Sequence, residues 1–82
     1  MKIPVVVAAR LLGISADFLR WSLRQDKTDL GWAIRRDGAK RWDYYIDQQT
    51  LARMAAVTLQ EVRRAVESYR AGGGITSAKT QN

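Results

Sequence analysis

A mostly helical domain carrying one two-stranded β-hairpin is the fold class that this 82-residue sequence predicts. Three stretches predict it. From Val5 to Arg24, apolar residues recur at helical spacing on either side of Gly13-Ile14. From Trp32 to Ile46, apolar and polar residues alternate around Asp37-Gly38, a strong turn dipeptide. From about Asp47 to Tyr69 the chain holds good helix formers and neither Gly nor Pro.

The first helix is expected from about Pro4 to Leu12. Proline suits a first turn because its missing N–H has no partner to lose there. Gly13 ends the helix, since a glycine adopts the left-handed conformation at no steric cost. Ala8 and Ala9 are small enough for a second helix to approach closely, and Leu11, Leu12 and Ile14 supply apolar volume. Ser15 is an N-cap for that second helix, and Asp17 puts a carboxylate in its first turn, where the macrodipole favours it. Leu19 and Leu23, four residues apart, form the buried stripe. Asp17, Arg20 and Arg24 recur at three- and four-residue spacing on the other side. The helix fades near Gln25 or Asp26, and DKTDLG at 26–31 reads as a polar turn.

In the hairpin, facing residues of an antiparallel pair share a side of the sheet, so the aromatic sets should meet. A two-residue loop would set Ile34 against Arg41 and mix the faces. A three-residue loop, Asp37 to Ala39, pairs Ile34 with Trp42 and Trp32 with Tyr44, and is the expected register. Either way Arg35, Arg36, Lys40 and Arg41 gather at the tip.

The third helix is expected to run unbroken to Tyr69, with Leu51 and Met54 docked on the helix pair. Ala52, Ala55, Leu59, Val62, Val66 and Tyr69 follow steps of three and four, the spacing of an apolar seam. That seam fits a short coiled coil or a helix lying across its own domain, and the spacing leaves both open. Residues 1–70 thus form the domain. Gly72, Gly73 and Gly74 end the helix, and ITSAKTQN has the composition of a disordered tail over 71–82.

Lys and Arg number 14 against 8 Asp and Glu, a net charge of +6, which favours polyanionic partners. Cysteine and histidine are both absent, which removes disulfides, thiolate chemistry and imidazole acid–base catalysis. Without an acidic cluster or a phosphate loop, no catalytic, metal or cofactor site is expected. Gly72 to Gly74 are not followed by the Gly-x-x-x-x-Gly-Lys spacing of such a loop. Lys2 precedes only the short run Ile3 to Ala9, so neither a signal peptide nor a membrane span is expected, and the cytoplasm is the expected compartment.

A helix pair with a Gly turn and a basic outer face has the layout of a helix-turn-helix. With the cationic hairpin directly after it, the pattern becomes a winged helix-turn-helix, whose second helix enters the major groove and whose tip reaches phosphates or the minor groove. Phe18, Trp42 and Tyr44 are expected in the core. Trp21 lies between the buried and basic faces. Tyr45 points away from the Trp42–Tyr44 face, and Arg63, Arg64 and Arg70 form the polar side of the last helix.

The run AARLLGISADFLRW, residues 8–21, resembles the start of MerR-type and phage excisionase-type winged helix-turn-helix domains. Those share an A-x-x-L-G-[IV]-S pattern followed by L-R-[YW]. Short proteins of Gram-positive phages and integrative elements resemble it more closely, through a G-x-A strand and an aromatic strand like RWDYYI at 41–46. The resemblance covers about Ile3 to Met54. It implies DNA contacts by Ala16, Asp17, Arg20, Trp21 and Arg24 on the helix, and by Arg35, Arg36, Lys40 and Arg41 on the wing. No acidic residue follows Trp21-Ser22, and there is no effector domain and no Cys. These absences argue against a ligand-responsive activator.

The expected function is sequence-specific binding of double-stranded DNA, as an excisionase that assists an integrase of a mobile element. A transcriptional repressor, dimerising through the last helix, is the rival. A protein-interaction or phage-assembly adaptor is a further class. Expected partners are duplex DNA, a recombinase and further copies of the chain, with no membrane and no small-molecule ligand.

Overall fold

In the computed structural model, four helices and one hairpin follow in the order α1 (Val5–Leu12), α2 (Ala16–Arg24), β1 (Gly31–Ile34), β2 (Asp43–Ile46), α3 (Gln48–Ala55) and α4 (Leu59–Arg70). The structure describes residues 1–72. Residues 73–82, which make up all but Ala71 and Gly72 of the expected tail, lie outside them. Four helices with a two-stranded antiparallel hairpin are compatible with a winged helix.

Local chemistry sets the first two helices where the sequence places them. Pro4 stands at the N-cap of α1. At its other end Gly13 is left-handed, with φ 73°, and the N–H groups of Gly13 and Ile14 donate to the carbonyls of Arg10 and Ala9 at 3.2 and 3.0 Å. That pair of bonds is a Schellman close, which satisfies carbonyls the helix would leave orphaned. Ser15 opens α2 by accepting the Phe18 N–H at 3.0 Å. The polar turn that follows conceals a core residue: Leu30 is wholly buried.

The core consists of Ile3, Val5, Val7, Ala8 and Ala9 around α1, Leu19 and Leu23 from α2, and Leu30, Ile46, Leu51, Ala52, Val62 and Val66 from the rest. α1 is the element that the others share, since α2, β2, α3 and α4 all pack on it. Ala8 and Ala9 are buried there, and without bulk at those positions neighbouring elements can close on the helix from several directions.

The hairpin is in a different register from the one expected. Gly31 faces Ile46, Trp32 faces Tyr45, Ala33 faces Tyr44 and Ile34 faces Asp43. The expected Asp37-Gly38 turn does form, closed by Ala39 N–H on the Arg36 carbonyl at 3.0 Å with Gly38 at φ 78°. The ladder stops short of it, however, so the connection between the strands is residues 35–42 and not three residues. A shift of one residue reverses the face that a side chain occupies. Trp32 and Ile34 therefore point outward and are exposed, while Ala33, Tyr44 and Ile46 pack on the core. Gly31 makes this pairing possible, because a Cβ there would fall on the Tyr45 carbonyl.

The expected third helix is two helices. Ala56 takes the left-handed conformation, φ 58°, and Val57 N–H reaches the Ala52 carbonyl at 2.9 Å. This is a second Schellman close, made without glycine. Thr58 then starts α4 with a capping box: its side chain accepts from Glu61 N–H at 3.0 Å, and Glu61 accepts from Thr58 N–H at 3.0 Å. The Thr-x-x-Glu signature is legible in the sequence and marks the break that an absence of Gly and Pro conceals. Beyond it, Val62 and Val66 are wholly buried, and α4 packs on α1 and α3. Of the apolar residues assigned to the core, Met54, Leu59 and Phe18 are instead exposed. Arg70 ends α4 with a bond to the Lys2 carbonyl at 2.9 Å.

Replacing the α4 cap, Thr58→Ala, is expected to cost about 1 kcal/mol in urea unfolding, as the loss of an N-cap does elsewhere.

The carboxylate caps also tie stability to pH. Thr50's hydroxyl and N–H hold Asp47 below its ordinary 3.8, and Thr58's N–H and hydroxyl hold Glu61 below its ordinary 4.5. A carboxylate lowered in the folded state contributes stability that is complete above its unfolded pKa and is lost as pH falls through the folded value. The thermal midpoint should therefore drop as pH falls below those ordinary values. An Asp47→Asn, Glu61→Gln variant, which keeps acceptors but no charge, should lose less of its midpoint over the same range.

Candidate nucleic-acid interface

Helical geometry divides α2 into two faces. Leu19, Ser22 and Leu23 are buried against the domain. At 100° per residue, Asp17, Arg20, Trp21 and Arg24 fall on the opposite side, with Phe18 at its flank. On this outward face Asp17 and Trp21 are exposed, while Arg20 and Arg24 are half-buried. Ala16, the remaining assigned residue of α2, is partly buried against the core.

The two arginines of this face are held differently. Arg20 donates to the Asp17 carboxylate at 3.1 Å, a three-residue-spaced pair in which the Asp17 side chain is 97% exposed. An ion pair this open to water contributes little to stability. Its effect is to orient one guanidinium along the helix and to cancel the only acidic charge on α2. Arg24 donates to the Tyr44 hydroxyl at 2.8 Å in a part-buried setting. Tyr44 pairs with Ala33 in the hairpin and stands two residues, ~7 Å of strand, from Trp42. One hydrogen bond thus fastens the C-terminal end of α2 to the base of the hairpin loop.

The loop carries the other four assigned cations. The Arg35 guanidinium lies 5.4 Å from the Trp42 ring centroid, a cation–π distance that keeps it beside the half-buried indole. Arg36 Nε is 3.9 Å from an Asp43 carboxylate oxygen. Lys40 and Arg41 are exposed. An open concavity is lined by Arg35, Arg36, Lys40 and the turn residues Asp37, Gly38 and Ala39. Donors on flexible stems around a concave backbone turn suit an anionic oxygen ligand such as a phosphate.

Two aromatic pairs add to this inventory. Phe18 and Trp21 are 55% and 44% exposed and stack at 6.1 Å with an interplanar angle of 25°. The expectation that Phe18 lies in the core is corrected by that exposure. The ring is outside because the buried arc of α2 is narrow, spanning Ser22 to Leu23, and Phe18 falls beyond its edge. On the outer face of the hairpin, Trp32 and Tyr45 stack at 5.6 Å, and Lys2 Nζ lies 5.2 Å from the Tyr45 ring centroid. The observed register creates that second pair, so no reading in the expected register would find it.

Compared with known protein families, curated proteins and solved structures, the chain matches none. Among the described residues no helix is long and apolar enough to cross a membrane.

The Arg24–Tyr44 bond predicts its own test. Tyr44→Phe keeps the ring and removes the acceptor. It should lower unfolding stability by about 1 kcal/mol and speed rotation of the Arg24 guanidinium, read from side-chain nitrogen NMR signals.

Proposed function

We propose that this chain binds double-stranded DNA sequence-specifically as a winged helix-turn-helix. In this reading α2 enters the major groove and the 35–42 loop contacts the backbone or the adjacent minor groove. The observation that carries the reading is the Arg24–Tyr44 bond. It joins the C-terminal end of α2, whose outward face bears two arginines, to the strand that leads out of the four-cation loop. Major-groove guanine presents two acceptors that suit a guanidinium, and a cationic hairpin tip suits phosphates or a narrow minor groove.

The preferred biological role is that of an excisionase, a recombination directionality factor of a phage or integrative element. In that role copies bind repeated sites beside an attachment site and bend it, so that an integrase assembles for excision. The resemblance of residues 8–21 and 41–46 to excisionase-type domains supports this role. So does the use of Val62 and Val66 within the domain, since those residues would otherwise form the seam of a dimeric repressor. No catalysis is assigned to the chain itself.

Substituting Arg20 or Arg24 by Ala should relax sequence preference and cost about 1–3 kcal/mol in binding if the contact is to a base. Neutralising Arg36 or Lys40 should weaken all duplexes alike and lower the salt slope by about one per lost phosphate contact. Fluorescence anisotropy on a selected duplex over a salt series reads both. Unchanged affinity in all four variants, or no binding to any duplex at low salt, overturns the reading. Footprinting beside an attachment site tests the role: direct repeats support an excisionase, and a symmetric inverted repeat overturns it in favour of a repressor.

A further inference from the structure

We propose that Phe18 is a specificity-determining residue that reads the C5-methyl group of thymine in the major groove. The inference rests on the DNA-binding reading of α2 and names part of what that helix would read.

Phe18 is 55% exposed and lies outside the buried core cluster. Its position is nonetheless fixed. Phe18 N–H is the group that the Ser15 cap accepts, at 3.0 Å, so the residue sits in the first turn of α2. Its ring stacks on Trp21 one turn later, at 6.1 Å and 25°. In a helix laid into the major groove, the N-terminal residues are those that meet base edges.

The outward face of α2 is also chemically divided. Arg20 and Arg24 lie on one flank and Phe18 on the other, with Asp17 and Trp21 between them. The major groove offers one apolar group, the thymine methyl, among donors and acceptors, and aromatic carbon is a known partner for it. A face with guanidinium on one side and phenyl on the other therefore matches neighbouring guanine and thymine edges. Charge selects duplex DNA over an apolar protein surface as the occupant. An apolar protein partner would have to desolvate Arg20 and Arg24 on the same face, whereas a duplex satisfies them.

The test begins by selecting a preferred duplex from a random pool with the unmodified chain. Each thymine of that duplex is then replaced in turn by deoxyuridine, which removes only the methyl group. Affinity is measured for the unmodified chain and for Phe18→Ala, with circular dichroism confirming that the variant is folded. One or two positions should each weaken binding by about fourfold, the factor expected for uncovering a single methyl. At those positions Phe18→Ala should be weaker than the unmodified chain on thymine and indifferent to deoxyuridine, which is the signature of a coupled pair. Phe18→Leu should restore part of the difference.

If the unmodified chain tolerates deoxyuridine everywhere, the assignment of Phe18 is overturned while DNA binding stands. Wild-type affinity in Phe18→Ala also overturns it, and leaves the Phe18–Trp21 pair to a protein partner. If no duplex can be selected at all, the DNA-binding reading falls with it.

Discussion

Everything in this small domain depends on how closely other elements can approach an eight-residue helix. α1 presents Val5, Val7, Ala8 and Ala9 to its neighbours, and α2, β2, α3 and α4 all rest on it. Short side chains at its middle let helix axes come near, and larger residues from outside, Leu19, Leu51, Val62 and Val66, fill the space between them. A chain of this length has little core relative to its surface. Concentrating that core around one shared helix lets a single hydrophobic cluster serve six elements. Bulk added at Ala8 would push several of them apart at once.

The same packing decides what faces solvent. Because α2 buries only Leu19, Ser22 and Leu23, the rest of its circumference is left to polar and aromatic groups. The hairpin then packs beside α2, and Arg24 bonds Tyr44 across the junction. A surface built this way needs no dedicated scaffold. It is the remainder left when a narrow apolar arc is satisfied, fastened by one charge-assisted hydrogen bond.

How much of this was legible in the sequence follows from how local each cause is. Pro4, Gly13 and Ser15 act within one turn of themselves, so the ends of α1 and the start of α2 follow from the residues alone. The division between α3 and α4 is also local, and Thr58 with Glu61 announces it. It is hidden only because an alanine, Ala56, takes the left-handed role usually given to glycine. The hairpin register was beyond the sequence for a different reason. The alternation puts Trp32 and Ile34 on the face of Tyr44 and Trp42. Those two are instead exposed and lie opposite Tyr45 and Asp43, a pairing that Gly31 permits because a Cβ there would overlap the Tyr45 carbonyl. The site divides the same way. Arg20 and Arg24 follow from spacing, whereas the exposure of Phe18 and the Trp32–Tyr45 pair depend on how wide a buried arc is and which way a strand faces.

The loop that joins the strands has an independence of its own. Residues 35–42 lie wholly beyond the ladder, whose alignment is secured at the far end by Gly31. Surface loops of this kind accept insertions and deletions readily. Amino acids can be gained or lost there without any strand sliding.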